Sequence, residues 1–473
     1  MTSLNRPTTV VAAVFAMVAL AACGGDDGGE AEGGGGGGDT GSADSIVVWT
    51  GDTIPERVAA TEEIIAGFTE ETGIDVELVG VDEDQFVQLL TSAAAAGELP
   101  DVVGSQPLAG VRTMAANELV NMEAAEAVVG ALDASTFSER ALEFTSEGDN
   151  QLAVPTDAWS QLLFYRKDLF DAAGLDAPET YDDITAAAEA LDSAEVAGIV
   201  AATTPGDAFT QQTFEHLALA NGCEMVDDSG EVTMDSEQCV AAFDFFGNLM
   251  TNYSVTGTQD VDTVRANYFA GQAAMAIWST FLLDEMAGLR NDALPTCPEC
   301  AADPAFLATN SGVVAQLQGP DGDEPAQFGE VSAWVITVDA ATEPAQQFVE
   351  YMMSDGYIDW LAIAPEGKFP TRYGTPENPT EYVDAWAELD IGVDTKAPLS
   401  DFYSEEVVEI LTSGADNLSR WGITQGQGDL VGASLGELPV PQAVGALVAG
   451  DVDAQGAADQ AAEALRTIQG SLG

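Results

Sequence analysis

The sequence predicts an α/β fold of two domains, and three observations carry that prediction. Between residues 46 and 103, short apolar runs alternate with amphipathic helical stretches, the pattern of strand and helix layers around a largely parallel sheet. About 430 residues lie beyond residue 44, too many for one hydrophobic core and enough for two. Hydrophobic residues make up 46% of the chain, which is ample for packing, yet no stretch after the leader is long enough to span a bilayer.

The leader comes first. Arg6 precedes an apolar stretch from Val10 to Leu20, followed by Ala21, Ala22 and Cys23. A charged start, about 11 apolar residues and small residues before a cut make a secretory signal peptide over residues 1–22. With cysteine directly after the cut, the run resembles the lipobox of bacterial lipoproteins, which implies diacylglycerol on the Cys23 sulfur. Residues 23–44 form a tether of Gly, Ser and acids. Such a composition buries too little apolar surface to offset chain entropy, so disorder is expected there. Its reach is roughly 25 Å, from about 5–6 Å times the square root of its length.

The folded part begins with Ile46-Val47-Val48-Trp49, an apolar strand ended by Thr50-Gly51-Asp52. Val58 to Thr69 carries Ile64, Ile65 and Phe68 at helical spacing, and Thr72-Gly73 stops it. Ile74 to Val79 reads as a second strand, Asp84 to Ala96 as a second helix, and Val102-Val103 as a third strand. In such layers ligands sit beyond the carboxyl ends of strands. The loops starting at Asp52 and Ser105 are therefore candidate site walls.

Charge narrows the function. The chain has 80 acidic against 13 basic residues and a formal net charge of −67. A phosphate backbone would be repelled, so nucleic acid is not expected as a partner. The acids are dispersed, as in a solvated surface suited to high salt, where screening relieves self-repulsion. Besides Cys23, four cysteines remain. Cys223 and Cys239 flank Asp227-Asp228-Ser229-Gly230, a turn sequence that brings them together, and Cys297-Pro298-Glu299-Cys300 is a CxxC. Export favours two disulfides, with redox chemistry the alternative at the CxxC. No second CxxC exists, and the lone histidine, His216, is far away in sequence, so a metal site is not expected.

A family resemblance rests on a series of short matches. They are Val48-Trp49, Phe68 to Ile74 (FTEETGI), Leu99-Pro100-Asp101-Val102-Val103, Ala153-Val154-Pro155 and Phe164 to Phe170 with Ala173-Gly174-Leu175. Tyr268 to Ile277, Glu343 to Phe348, Gly367 to Arg372 and a closing helix near Val440 to Ile468 complete the set. In this order, over nearly the whole mature chain, they resemble the extracellular solute-binding proteins of ABC importers, in the sugar-binding group that includes maltodextrin-binding proteins. The resemblance implies a two-lobe periplasmic-binding-protein-like fold (type II), with a ligand cleft between lobes joined by hinge crossings. Crossings are expected near Pro155 to Ala158, Ser332 to Trp334 and Phe369 to Tyr373. Lobe one would then be residues 45–155 plus 334–368, and lobe two residues 157–331 plus 372–473.

A sugar site needs flat aromatic faces and short polar groups that donate and accept hydrogen bonds. Trp49, Trp159 and Trp278 sit where a cleft would be, and Phe281 falls where maltodextrin binders carry a stacking aromatic. Trp334 at the second crossing and Trp421 in a Gly/Gln-rich loop are further candidates, whereas Trp360 and Trp386 read as packing. Polar candidates are Asp52, Ser105, Gln106, Asp157, Gln211, Gln212 and Arg372. Asp52 holds the position of a sugar-binding acid in the resembling proteins. Ser105-Gln106 and Gln211-Gln212 depart from the pattern of the maltodextrin binders.

Enzyme readings find little support. Gly432-Ala433-Ser434-Leu435-Gly436 matches G-x-S-x-G, but Gln425 to Gly428 before it is loop chemistry and His216 lies upstream. His216 reads as a helix residue, and nothing among 80 acids singles out a glycosidase pair. The expected function is a lipid-anchored monomer that captures a sugar and delivers it to ABC permease subunits with their ATPase, touching the membrane only through its anchor. No cofactor is expected. The alternatives are an exported glycosidase or other hydrolase, or a binder of this fold for a polyamine, metal or peptide.

Overall fold

The computed structural model describes residues 45–412 and 414–472. The signal peptide, Cys23 and the tether fall outside the described residues.

Local chemistry sets the first elements. The strand Ser45–Thr50 is followed by the helix Pro55–Thr72, where Pro55 pre-sets the first helical φ and Thr61, Ile64, Ile65 and Phe68 form the buried stripe. The strand Asp75–Gly80, the helix Glu83–Ala96 and the strand Val102–Pro107 follow. Ile46 lies opposite Val76 and Val48 opposite Val102, both in parallel pairings.

Beyond them one strand does most of the organising. Val154–Arg166 is 13 residues long and nearly all of it is buried. Its first half runs antiparallel to the strand Gln327–Ile336, from Val154 opposite Trp334 to Ser160 opposite Gly329. Its second half pairs with Met275–Ser279 and with Ser311–Val314, again antiparallel. Gln327–Ile336 also pairs with Val102–Pro107, and the two-residue strand Phe369–Pro370 lies against Ala158 and Asp157. Three chain segments thus run side by side at the middle of one nine-stranded sheet.

The sheet is mixed, a correction to the largely parallel one expected. Parallel pairing holds where helices connect neighbouring strands, around Ser45–Thr50. It ends where Gln327–Ile336 inserts between Val102–Pro107 and Val154–Arg166, antiparallel to both. The closing helix expected over Val440 to Ile468 is two helices, Pro439–Ala449 and Ala454–Leu472, broken where Gly450 takes a φ of 76°. The last helix buries Ala457, Ala458, Ala461, Ala462, Leu465 and Ile468. Cys223 is bonded to Cys239 and Cys297 to Cys300. Val226 bridges Val232 across the Asp227 to Gly230 turn, bringing the first pair of cysteines together.

Among the described residues no helix is long and apolar enough to cross a membrane, and no group of three or more His, Cys, Asp or Glu side chains is placed to hold a metal ion.

Candidate functional site

Trp159 is on the long central strand, half-buried, with the Phe281 ring 6.3 Å away and the Phe328 ring 5.8 Å away. Phe281 starts the short helix Leu282–Met286, and Thr280 just before it donates its backbone N–H to the Ser160 carbonyl at 3.0 Å. The Phe281 ring also stands so close to Gly367 that a Cβ there would overlap it. The Arg57 guanidinium, from the first turn of Pro55–Thr72, stands 5.8 Å from the same ring. An aromatic platform is thereby shared by the central strand, the start of Leu282–Met286, the 365–367 turn and the first turn of Pro55–Thr72.

Buried polar groups without partners border the platform. Gln161 is two residues beyond Trp159, so both project from the same strand face. Both amide atoms of Gln161, Thr280 Oγ1, both oxygens of Asp284, Glu366 Oε2 and Arg57 Nε are buried with no hydrogen-bond partner. Arg57 has one ion pair, to Asp52 at 3.9 Å. Gln211, likewise unsatisfied at both amide atoms, is one turn before Glu215 on the helix Ala208–Ala220. Each such group costs about 1–3 kcal/mol when left unpaired. Burial, then the Glu366 and Glu285 carboxyls, push the Asp284 carboxyl far above its ordinary range, and burial raises Glu366 as well.

Behind Phe328 is a buried ion network. Arg420 donates to Glu215 at 3.2 Å and to Glu330, and its guanidinium lies 4.7 Å from the Phe328 ring. Glu215 accepts from the Trp421 backbone N–H at 2.8 Å, and Glu330 from the Leu108 N–H at 2.9 Å. His216 accepts from the Phe328 N–H through Nδ1. It is buried and held neutral, its pKa pulled down to about 3 by desolvation, so it serves as a helix residue.

The other candidates divide. Asp52 is half-buried, its Oδ1 accepting from the Ile54 N–H at 3.2 Å, and Trp49 sets its edge against Phe86 at 6.3 Å. Ser105 sits in a bulge of its strand with φ 55°, a left-handed conformation that re-aims its side chain. Gln106 is buried beside Gly110, and Gln212 is half-buried. Trp278 is buried, its indole N–H donating to Val261 O at 3.0 Å, so Phe281 is the more open of that pair.

Four candidates hold the framework instead of facing a solute. Asp157 accepts from Thr156 Oγ1 at 2.5 Å and Trp360 Nε1 at 2.9 Å, and pairs with Lys368 at 3.6 Å. The Lys368 ammonium stands 3.8 Å from the Trp360 ring, so Trp360 has a polar duty beyond the packing expected of it. Trp334 is buried between Phe348 and Trp360. Arg372 is spent on Thr136 Oγ1 and the Leu132 and Met353 carbonyls. Trp421 is buried, donating to Cys223 O at 2.7 Å. Sequence reading missed Gln161, Thr280, Asp284, Glu366 and Arg57. Two of them had a signal, since Asp284 is three residues past Phe281 and Glu366 adjoins the matched Gly367 run.

The G-x-S-x-G motif is inside the helix Gly428–Glu437, where Ser434 is fully buried and donates to Val431 O at 2.9 Å. That is no strand-to-helix elbow, and the hydroxyl is not presented to a substrate.

An α/β fold whose long strands pass through one junction, with aromatic rings and unpaired polar groups beside it, defines a two-lobe periplasmic-binding-protein-like chain. Residues 51–358 match the model of the bacterial extracellular solute-binding proteins, and the chain belongs to that family. It is a binding protein and not an enzyme. Over 384 residues it is 26% identical to an Escherichia coli (strain K12) chain named for an ABC transporter periplasmic-binding role, YcjN, covering 79% of this chain and 83% of that one. Its fold is similar to that of T. maritima MalE3 with maltose bound, at 19% identity and a TM-score of 0.67, covering 90% of this chain and 100% of that one. A solute-binding protein from Thermotoga lettingae TMO with α-D-tagatose is 20% identical with a TM-score of 0.68, over 91% of this chain and 100% of that one.

Proposed function

We propose that the chain is the solute-binding lipoprotein of an ABC importer, capturing a sugar or oligosaccharide and passing it to a permease. One observation carries the sugar reading: the Trp159 and Phe281 rings adjoin buried polar groups that lack partners, Gln161, Thr280 and Asp284 among them. Sugar C–H faces suit such rings, and hydroxyls supply both donors and acceptors. Relatives named for ABC transport and structures holding maltose and tagatose support it. The lobes are residues 45–155 plus 334–368 and 157–331 plus 372–473, closing around the solute by bending at the crossings. Binding then favours the closed state by its difference in affinity for the two. Cys23 carries the lipid that keeps the monomer at the outer face of the cell membrane.

Thermal-shift and calorimetric titration of a saccharide panel in high salt tests the capture step. At least one saccharide raises the melting temperature, and Trp159→Ala and Phe281→Ala each weaken it tenfold or more. Stabilisation by no saccharide at all would sink the reading. Lipidation is tested separately: Cys23→Ser releases the protein from the membrane fraction into the medium, whereas continued membrane retention removes the anchor.

A further inference from the structure

The carboxyls of Asp284 and Glu366 are the least explained groups in the molecule. The helix Leu282–Met286 packs on the Pro365–Gly367 turn, and each carboxyl belongs to an element touching the Phe281 ring. Asp284 is fully buried and Glu366 1% exposed. Two Asp284 oxygens and one of Glu366 have no hydrogen-bond partner. Among the described residues, none of the nearby cations makes an ion pair with either carboxyl. Arg290 is spent on Glu285 at 3.1 Å and Asp292 at 2.8 Å, and Lys396 donates to Ala362 O at 3.2 Å. Arg57 pairs with Asp52, and Lys368 with Asp157. The nearby Tyr403 hydroxyl donates to Leu283 O at 2.6 Å.

Buried carboxyls are tolerated when paired and hydrogen-bonded; neither of these has an ion pair, and Asp284 has no hydrogen bond either. Burial favours the protonated form of both carboxyls, against the pull of the nearby Arg57 and Arg290, and a neutral hydroxyl does nothing to let either one ionise. A primary ammonium brings one positive charge and three N–H donors, which match the three unpartnered oxygens in number. Thr280 Oγ1, buried and unpartnered one residue before Phe281, offers a neighbouring contact for a hydroxyl of the same solute. The net charge of −67 draws cations toward the molecule.

We propose that Asp284 and Glu366 form an ammonium subsite beside Phe281, so that the captured solute bears a primary amine on a ring with an apolar face, as an amino sugar does. This inference rests on the solute-capture reading and narrows its substrate class.

The test titrates the full-length chain in high salt with glucosamine, galactosamine and a β-1,4-linked glucosamine dimer. Their neutral counterparts glucose, galactose and cellobiose form a second arm, and spermidine and putrescine a third. An amino sugar is expected to bind at least tenfold more tightly than its neutral counterpart. Asp284→Asn and Glu366→Gln each abolish that preference, weakening the amino sugar at least fivefold more than its neutral counterpart. Asn and Gln are near isosteres of the protonated carboxyls, so both variants melt close to the parent chain and lost binding is not lost folding. Neutral sugars binding as tightly as amino sugars, or an amine preference that survives Asp284→Asn, would overturn the subsite while leaving sugar capture intact. Tight spermidine binding that is lost in Asp284→Asn, with no sugar bound, would uphold the subsite and overturn the sugar reading.

Discussion

Arg420 holds two carboxylates that would otherwise stand charged in the interior. Replacing one partner of a buried pair costs about 3–5 kcal/mol, because the charge left behind is uncompensated. Arg420→Met is therefore expected to lower stability by about that much in chemical denaturation, and adding Glu215→Gln to recover part of it. Glu224 gives a pH signature. Burial first, then the nearby Glu215 carboxylate, raise its pKa to about 7 from an ordinary 4.5. The folded state thus holds a proton that the unfolded chain has already released, and stability falls as pH rises from about 4.5 to about 7. Glu224→Gln is expected to flatten that part of the profile. Comparing the two chains cancels the opposite slope from His216, whose neutral form gains as pH rises from 3 toward 6.5. At this scale the sequence was half legible. Trp159 stands out because it follows the first expected crossing, and Phe281 because the resembling proteins carry a stacking aromatic there. Trp334 and Trp421 look the same in sequence, yet both are buried in the interior, and only the fold distinguishes them. Among 80 acids, Asp284 and Glu366 are marked in sequence only by their nearness to Phe281 and Gly367; burial is what singles them out.

The helix Gly428–Glu437 shows why small residues recur in one element. A Cβ on Gly428 would meet the Arg112 side chain, and one on Gly432 would lie 3.0 Å from Thr113 Oγ1, both on the helix Leu108–Ala116. Gly436 has nothing within 4 Å. Gly432→Val is expected to cost about 1–3 kcal/mol through overpacking. Gly436→Ala is expected to add up to about 1 kcal/mol by removing a flexible residue from a helix. A drop in stability for Gly436→Ala would contradict that account. Within the apparent nucleophile motif, Gly432 is thus there for helix packing. Among the elements, the early strands and helices were readable to within a few residues, because periodicity and Pro or Gly stops are local signals. The antiparallel insertion of Gln327–Ile336 was not, because its partners are more than 160 residues away in sequence and no local pattern encodes such a pairing.

For the molecule as a whole, charge dominates. With a net −67, self-repulsion opposes compaction, and the screening length shrinks from about 10 Å at 0.1 M salt to about 3 Å at 1 M. The unfolding midpoint should climb over that range, and a flat or falling midpoint would mean that the dispersed acids are not the main liability. The strand order has another effect, on timing. Gln327–Ile336 fills the place between Val102–Pro107 and Val154–Arg166, so those two early strands have no shared neighbour until two-thirds of the chain has emerged. A ribosome-tethered fragment that stops short of it carries an unfilled slot and open strand edges, and stays loose. On the export reading proposed above, that late-arriving keystone strand keeps the nascent form pliable until translocation is well advanced.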